Sequence, residues 1–274
     1  MTEIRYEDLS IHFLKENRAS IIKVIKDEVE FYFRLFLKDD NKKLIVFTNG
    51  AVDRSIKEPP YFQRSSWSED YSASCIYVDD PTIHNNELRV GFGIGTQGRH
   101  YTLDISEILM KIQRLWLIES NDVIYFGSSA GGYMSLQFAT LNRDSLAVVN
   151  NARIYVHKTF TFKSIRETIF KCTDSKEVLK KYNDKLSLLA FMKKHKNIPK
   201  AIHYVNRLSK GDRELHYNPY LLNADKYKIR LDNQNFVFYS NYSGNHDILN
   251  RRDTALILNS AMNEQLPLIN KLKN

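Results

Sequence analysis

The stretch VIYFGSSAGGYMSLQFA, residues 123–139, decides how this chain is interpreted. An apolar, strand-like run ends at Phe126, and an apolar helical pattern begins a few residues later. Three glycines and three small residues lie between them, whereas an ordinary turn from a strand to a helix needs only one glycine. Positions 127, 129 and 131 match the pattern G-x-S-x-G, in which small neighbours allow the serine strained backbone angles. The stretch therefore predicts a sharp turn with Ser129 at its apex.

Composition and charge limit the classes of protein to which the chain can belong. Its 274 residues include 40 Lys and Arg against 32 Asp and Glu, a formal net charge of +8. No apolar run approaches the roughly 20 residues that span a bilayer, and the charged N-terminus does not match a signal peptide. Cys75 and Cys172 lie far apart, so neither a disulfide framework nor a metal site is predicted. We expect a cytoplasmic protein, and peripheral association with the inner face of a membrane stays open.

The order of apolar runs predicts the fold class. Helical patterns occur at 102–119, after Ser129 and at 254–272, and they alternate with the later of the strand-like runs. This alternation predicts a single α/β domain over residues 1–274, with a mostly parallel central sheet flanked by helices and an antiparallel edge formed by the early strands. The strand-like runs are 28–38, 43–51, 74–82, 122–129, 145–151, 201–207 and 235–241.

A basic segment interrupts the later alternation. Residues 152–200 contain 13 Lys and Arg against 4 Asp and Glu, which gives this segment a net charge of +9. Residues 155–200 are too many for a simple connection, so they predict a helical insertion, a lid or cap over the sheet edge where such folds bind ligands. A basic patch attracts nucleic acid, an acidic membrane, an anionic polymer or a phosphorylated cofactor. A solvated lysine-rich face is the alternative, and without a recognised module we do not expect nucleic-acid binding.

A serine hydroxyl is a weak nucleophile and needs a base that an acid orients. Four histidines lie at some distance beyond the start of the basic segment, namely His195, His203, His216 and His246. His203 lies inside a strand pattern and His195 in a lysine run. His246 lies in NYSGNHDILN, after the last strand-like run and before the last helical pattern. We therefore predict His246 as the base, and a loop histidine at the start of the helix is the alternative.

The predicted acid is Asp212, which follows a strand-like run in a Gly-Asp turn, 83 residues after Ser129 and 34 before His246. Asp232 precedes a strand-like run and would lie at the opposite edge of the sheet. Glu214 and Asp247 are weaker rivals. A Gly-Asp turn also forms without a catalytic role, so this assignment stays open.

Two backbone amides would have to stabilise an oxyanion. The amide of Ala130, next to Ser129, is one candidate, and the 49–51 loop after an earlier strand supplies the other, with Asn49 and Gly50 in a turn that aims an amide inward. An ordinary Asn-Gly turn explains the loop equally well. The loop PPYFQRSSWSEDY, residues 59–71, fits a glycan-contacting loop and a packed surface loop alike, and no site is assigned there.

Taken together, these motifs resemble the α/β-hydrolase superfamily from about residue 43 onward. The G-x-S-x-G-G turn and the late histidine are the specific parts of the resemblance. Within that superfamily the stretches YVDDPT, GFGIGT and GSSAGGYMSL are similar to bacterial capsular polysaccharide O-acetyltransferases.

The resemblance implies a serine O-acetyltransferase of capsule biosynthesis, with Ser129 as nucleophile and His246 and Asp212 completing a catalytic triad. Acetyl-CoA would be the acyl donor and an anionic polysaccharide the acceptor, with no permanently bound cofactor. A carboxylesterase or polysaccharide deacetylase of the same fold is the first alternative. A non-catalytic glycan or secretion-assembly partner is the second.

Overall fold

The computed structural model describes residues 1–243 and 245–263. Its strands form one nine-stranded sheet in the order β1-β2-β3-β5-β4-β6-β7-β8-β9. Strand β3 pairs antiparallel with β2 and β5, and every other neighbouring pair is parallel. The strands are β1 (Thr2–Arg5), β2 (Ile21–Lys26), β3 (Val29–Phe36), β4 (Leu44–Thr48), β5 (Ser74–Val78), β6 (Val123–Ser128), β7 (Leu146–Asn150), β8 (Lys200–Asn206) and β9 (Gln234–Tyr239).

Helices cover both faces of this sheet. The longest of them, α2, packs its apolar stripe against the sheet, as its helical spacing predicts. The α-helices are α1 (Ile11–Glu16), α2 (Tyr101–Leu115), α3 (Ala130–Leu141), α4 (Phe162–Ile169), α5 (Ser175–Leu186), α6 (Leu188–His195), α7 (Lys210–Asp212), α8 (Asn218–Lys226) and α9 (Arg251–Met262), and a π-helix (Arg213–Tyr217) joins α7 to α8.

The central strands are buried on both faces, which explains their continuous apolar runs. Alternate residues of β6 point to opposite sides, so Tyr125 belongs to one core and Phe126 to the other. Helices α2 and α3 cover the first core, while α9 and residues 62–73 cover the second. The observed sheet confirms the predicted α/β class and its antiparallel edge.

The seven strand-like runs of the sequence all contain strands, but β1 and β2 were not predicted. Charged residues interrupt both strands (TEIR and IIKVIK), so neither shows the continuous apolar run of a buried strand. The last helix begins before the predicted 254–272 segment and is described to Met262, and the rest of that prediction lies outside the described residues.

Residues 155–200 contain α4, α5 and α6, as the predicted helical insertion requires. Apolar side chains of all three helices join the first core, among them Ile165, Val178 and Leu188. Helix α6 leads directly into β8, so it also completes the crossover from β7. The lid function and the single-domain boundaries stay predictions.

Because the strands from β4 to β9 are parallel, their carboxyl ends meet at one edge of the sheet. Residues 49–50 follow β4, and Ser129 follows β6. Asp212 follows β8, and His246 follows β9. The fold therefore brings all the predicted site residues to the same edge.

Candidate active site

The turn after β6 holds Ser129 in a backbone conformation that side chains rarely adopt. Ser129 has φ 56° and ψ −121°, and helix α3 starts at the next residue. Its amide donates to the carbonyl of Asn150, 3.1 Å away at the end of β7. Such backbone strain costs of order 1–3 kcal/mol and persists where the surroundings enforce it, as at a nucleophile elbow.

Two glycines make this turn sterically feasible. A Cβ at Gly127 would lie 2.2 Å from Thr48 Oγ1 and 2.4 Å from the carbonyl carbon of Gly131. A Cβ at Gly131 would lie 2.8 Å from Thr48 O. Thr48 Oγ1 in turn donates to the carbonyl of Gly131 over 2.7 Å, which ties β4 to the start of α3. The turn is therefore closed by backbone and threonine contacts that leave no room for a side chain.

Asp212 and His246 form a direct pair. His246 Nδ1 lies 2.8 Å from both Asp212 Oδ1 and Asp212 Oδ2. The Asp212 side chain is fully buried, whereas the His246 side chain keeps 27% of its surface exposed. With Nδ1 donating to the carboxylate, Nε2 of a neutral His246 is the nitrogen that accepts a proton. The sequence thus identified a histidine and an aspartate that the fold brings into contact.

Two further groups contact the Asp212 carboxylate. Arg153 Nη1 donates to Oδ1 over 2.7 Å, and Ser209 Oγ donates to Oδ2 over 2.8 Å. Burial alone would raise the pKa of Asp212, but the hydrogen bond and charge of His246, with the nearby Arg153 and Ser209, bring this pKa below its ordinary value. The carboxylate is therefore ionised at neutral pH despite its burial.

Arg153 connects this pair to the nucleophile turn. Its amide donates to the carbonyl of Ser129 over 3.0 Å, while its guanidinium holds Asp212. His246 Nε2 is buried and has no hydrogen-bond partner among the described residues, so it makes no hydrogen bond to Ser129 Oγ in this structure. Nucleophile–base hydrogen bonds often form only when substrate is bound.

The other histidines considered in the sequence have no comparable setting. His203 is fully buried in β8 and shares a hydrogen bond with Gln234, and burial lowers its pKa to about 4. His216 Nδ1 lies 3.2 Å from the amide of Ile154 and accepts from it. Burial lowers the pKa of His216 to about 3, so it is neutral. Each is an integral part of the packing.

The predicted oxyanion donors differ in their availability. The amide of Ala130 opens α3 and makes no hydrogen bond among the described residues. The amide of Gly50 donates to Gln63 Oε1 over 2.9 Å, and the side chain of Asn49 is bound to the backbone of residues 61–63. Ala130 is thus a free donor, whereas a donor role for Gly50 requires Gln63 to move. These oxyanion roles stay predictions.

Three asparagines that the sequence reasoning missed hold the backbone on either side of His246. Asn151 Nδ2 donates to the carbonyl of Asp247 over 2.8 Å, and Asn206 Nδ2 donates to the carbonyl of Asn245 over 3.3 Å. Asn150 Oδ1 accepts from the amide of Leu249 over 2.9 Å. All three side chains are fully buried. The only signal in the sequence is an asparagine at the carboxyl end of a parallel strand. We name these three residues, Asn150, Asn151 and Asn206, the asparagine clamp.

The remaining sequence expectations concern metals, membranes and charge. In the described part of the chain, no group of three or more His, Cys, Asp and Glu side chains could hold a metal ion. No helix within it is long and apolar enough to cross a membrane. Two cations of the basic segment are engaged within the fold: Lys185 is buried against backbone carbonyls, and Arg153 is half-buried beside Asp212. Exposed cations include Lys158, Lys163 and Lys171.

Sequence comparison gives no relatives, since no protein-family model matches the chain and no curated protein matches it. Comparison with solved structures does find similar proteins. A capsule O-acetyltransferase of Neisseria meningitidis serogroup A has a TM-score of 0.64 at 12% identity, over 87% of this chain and 96% of that one. A variant of that enzyme, solved in complex with CoA, has a TM-score of 0.61 at 13% identity, over 82% of this chain and 89% of that one.

A serine hydrolase, the fluorophosphonate-binding FphF of Staphylococcus aureus, has a TM-score of 0.57 at 14% identity, over 89% of this chain and 96% of that one. At such low identities these similarities establish the fold alone. They agree with the observed fold, a mostly parallel sheet with helices on both faces. The chain therefore has the α/β-hydrolase fold.

Proposed function

We propose that this protein is a serine-dependent acyltransferase that acetylates a hydroxyl group of an anionic bacterial surface polysaccharide. The observation that carries the proposal is the contact between His246 and Asp212 at the sheet edge where Ser129 occupies its strained turn. A buried, ionised carboxylate fixes the imidazole so that Nε2 stays free on the opposite side of the ring.

In the first half-reaction, Ser129 Oγ attacks the acyl carbonyl of the donor while His246 Nε2 takes its proton. Asp212 orients the imidazole and stabilises its positive charge, and the amide of Ala130 donates to the developing oxyanion. The thioester bond breaks, the proton passes from His246 to the leaving thiolate, and an acetyl ester remains on Ser129. In the second half-reaction, His246 deprotonates an acceptor hydroxyl, whose oxygen attacks the acetyl carbonyl. The ester bond to Ser129 breaks, the acetyl group stays on the acceptor, and His246 returns the proton to Ser129 Oγ.

Acetyl-CoA is the proposed donor, because a structurally similar capsule O-acetyltransferase has been solved with CoA. The exposed cations of residues 152–200 suit the phosphates of this donor or an acidic acceptor. In the bacterial cytoplasm acetyl-CoA is available, and we propose that location. A polysaccharide of a capsule or another surface glycan is the proposed acceptor class.

Hydrolysis is the second candidate, favoured by the structural similarity to FphF. A carboxylesterase or glycan deacetylase would use the same acyl-serine, with water in place of the sugar hydroxyl. The two activities therefore differ only in the second half-reaction. A test must separate formation of the acyl-serine from its fate.

The first experiment is intact-mass spectrometry of the protein after brief incubation with acetyl-CoA. We expect a gain of one acetyl group, localised to Ser129 by peptide mapping and lost in Ser129→Ala. The exposed Ser66 provides the matched control, because Ser66→Ala should keep the adduct. Circular dichroism checks that both variants are folded.

Addition of acceptor then distinguishes the two activities. Release of the acetyl group that is accelerated by an acidic glycan, with the acetyl recovered on the sugar, supports the transferase. Release at the same rate in buffer alone supports a hydrolase. The catalytic proposal fails if neither acetyl-CoA nor a fluorophosphonate probe modifies Ser129, and the non-catalytic partner then becomes the better interpretation.

A further inference from the structure

The loop between β4 and β5 contains a buried arginine with no carboxylate partner among the described residues. Arg64 is only 7% exposed, and its Nε has no hydrogen-bond partner there. The rings of Trp67 and Phe126 lie 5.5 and 5.4 Å from its guanidinium carbon. Burial of a cation costs free energy unless an opposite charge or strong acceptors offset it. Aromatic faces offset part of this cost, but Nε keeps no hydrogen-bond acceptor among the described residues.

The guanidinium lies against the turn that holds the nucleophile. Arg64 Nη2 donates to Ser128 Oγ over 3.0 Å, and Ser128 immediately precedes Ser129. Arg64 itself has φ 66°, a left-handed conformation that is uncommon for a residue with a side chain. Residues 59–71 are the loop to which the sequence assigned no site. The fold brings its one buried cation to the residue next to Ser129.

Two donors in this region converge on a single oxygen atom. Arg64 Nη1 donates to Gln63 Oε1 over 3.2 Å, and the amide of Gly50 donates to the same oxygen over 2.9 Å. A Cβ at Gly50 would lie 3.6 Å from the carbonyl oxygen of Ser128, so this amide also borders the nucleophile turn. A guanidinium and a backbone amide aimed at one point form a favourable environment for an anionic oxygen. In this structure the neutral amide oxygen of Gln63 occupies that point.

We propose that Arg64 and the Gly50 amide form an anion-binding position beside Ser129, which Gln63 Oε1 fills in the free enzyme and an anionic substrate oxygen fills during the reaction. This inference rests on the proposed acyl transfer. The anionic oxygen comes either from the oxyanion on the acyl carbon or from a carboxylate or phosphate of the acceptor. In both cases Gln63 moves aside, and the exchange replaces a neutral acceptor of the guanidinium by a charged one.

The charge of Arg64 is retained in this setting. Burial lowers the pKa of its guanidinium to about 10, which leaves the group protonated at neutral pH. A cation that is already desolvated interacts strongly with a charge that develops nearby, because little water is left to screen it. The position therefore favours an anionic oxygen over the neutral oxygen of Gln63.

A binding experiment tests the position without any catalytic step. In Gln63→Leu the two donors lose their internal acceptor, so a small carboxylate should bind in its place. We expect 50 mM acetate, at constant ionic strength, to raise the melting temperature of Gln63→Leu by about 3 °C relative to the parent. Gln97 is exposed, and Gln97→Leu is the matched control. Equal responses of Gln63→Leu and Gln97→Leu to acetate would overturn the proposal.

Kinetics of Arg64→Met then identify the source of the oxygen. If Arg64 serves the oxyanion, the burst of p-nitrophenol from p-nitrophenyl acetate should slow by about 10²-fold. If it serves the acceptor, the burst should be unchanged while the KM for methyl glucuronide rises and that for methyl glucoside does not. A folded Arg64→Met that matches the parent in both steps contradicts the inference.

The two measurements also separate this inference from the proposed function. A parent protein that forms no acyl-serine refutes the proposed function, and the acetate measurement on Gln63→Leu still decides whether the anion position exists. An active parent whose Gln63→Leu variant ignores acetate refutes only the anion position. Should Arg64→Met fail to fold, the Gln63→Leu result stands alone.

Discussion

The nucleophile turn and the loop that carries His246 are held in place by different means. The turn at Ser129 is closed sterically, because Gly127 and Gly131 pack against each other and against Thr48 of a neighbouring strand, and backbone hydrogen bonds to Asn150 and Arg153 hold it. The loop around His246 is instead held by the side chains of the asparagine clamp, 40 to almost 100 residues away along the chain. The first arrangement depends on the absence of side chains, and the second depends on the presence of particular ones.

This difference predicts different sensitivities to substitution. The turn cannot accommodate a larger side chain at its glycines, because the added atoms would collide with backbone that cannot move. The clamp consists of individual hydrogen bonds, each of which contributes modestly to stability but fixes the position of the base. We therefore expect changes at the turn to cost stability and activity together. Changes at the clamp should cost mainly activity.

The largest effect is expected for Gly127→Ala. The new Cβ would lie 2.2 Å from Thr48 Oγ1 and 2.4 Å from the carbonyl carbon of Gly131. We expect a loss of about 3 kcal/mol or more in the free energy of unfolding, measured by urea denaturation, and no detectable acylation of Ser129. Gly98→Ala is the matched control, because a Cβ there meets no atom within 4 Å. A stable, active Gly127→Ala would show that the turn is not closed sterically.

The elements of the nucleophile turn are adjacent in the sequence, and this explains why the turn could be predicted. The strand, the small residues and the helix of the turn are consecutive, so one pattern specified the conformation of Ser129. Asp212 and His246 could be selected because each follows a parallel strand, and the carboxyl ends of such strands meet at one edge. Their mutual contact of 2.8 Å depended on the fold but not on any further sequence signal.

The clamp and Arg64 could not be predicted in the same way. An asparagine after a strand is also a common turn residue, so nothing local distinguishes Asn206 from many others. Arg64 lies in a loop without periodicity, where burial cannot be inferred from spacing. Strands β1 and β2 were missed for a related reason, since β2 joins the sheet by pairing with β3, and β1 joins it by pairing with β2. Long-range contacts specify all of these features.

The next largest effect is expected for Asn206→Ala and Asn151→Ala. Asn151→Ala frees the carbonyl of Asp247, and Asn206→Ala frees the carbonyls of Asn241 and Asn245. The imidazole of His246 then spends less time in the position that can deprotonate Ser129. We expect the rate of Ser129 acylation to fall by about 10²-fold while the free energy of unfolding falls by only about 1–3 kcal/mol. Burst kinetics and urea denaturation measure the two quantities.

A suitable control removes a similar hydrogen bond far from His246. Asn197 Nδ2 donates to the carbonyl of Thr140 over 2.7 Å, so Asn197→Ala loses one bond from a side chain to the backbone at another place in the fold. We expect this variant to lose stability but to keep its rate of acylation. The clamp has no positioning role if, for an equal loss in the free energy of unfolding, Asn206→Ala and Asn197→Ala lose the same fraction of the acylation rate.

A smaller, pH-dependent effect is expected for Arg153→Met. With Arg153 present, the pKa of Asp212 lies below its ordinary value, so the stability that this carboxylate contributes is present above about pH 4 and is lost as the pH falls through the lowered pKa. Burial raises the pKa of Asp212, and the charge of Arg153 counteracts this effect. Removal of the cation therefore raises the pKa of Asp212. In urea denaturation as a function of pH, the loss of stability at acidic pH should therefore begin at higher pH in Arg153→Met than in the parent.

The control for this shift keeps the positive charge. Arg153→Lys places a cation near Asp212 without the planar guanidinium, so its loss of stability at acidic pH should begin close to the pH seen for the parent, even if its overall stability is lower. A profile of stability against pH for Arg153→Met that coincides with the parent profile would mean that His246 and Ser209 alone set the pKa of Asp212.

The smallest effect concerns exposed charges of the basic segment, which neither the turn nor the clamp requires. Lys158 and Lys163 are exposed and lie in the segment that leaves the carboxyl end of β7. Reversal of both charges should raise the KM for acetyl-CoA about threefold at low salt, and the effect should vanish above about 0.5 M salt because exposed charges are screened. Lys226 and Lys228 precede β9 at the opposite edge, so Lys226→Glu with Lys228→Glu makes the same change in net charge away from the site. Equal increases in KM for the two pairs would show that net charge, rather than a local patch, attracts the donor.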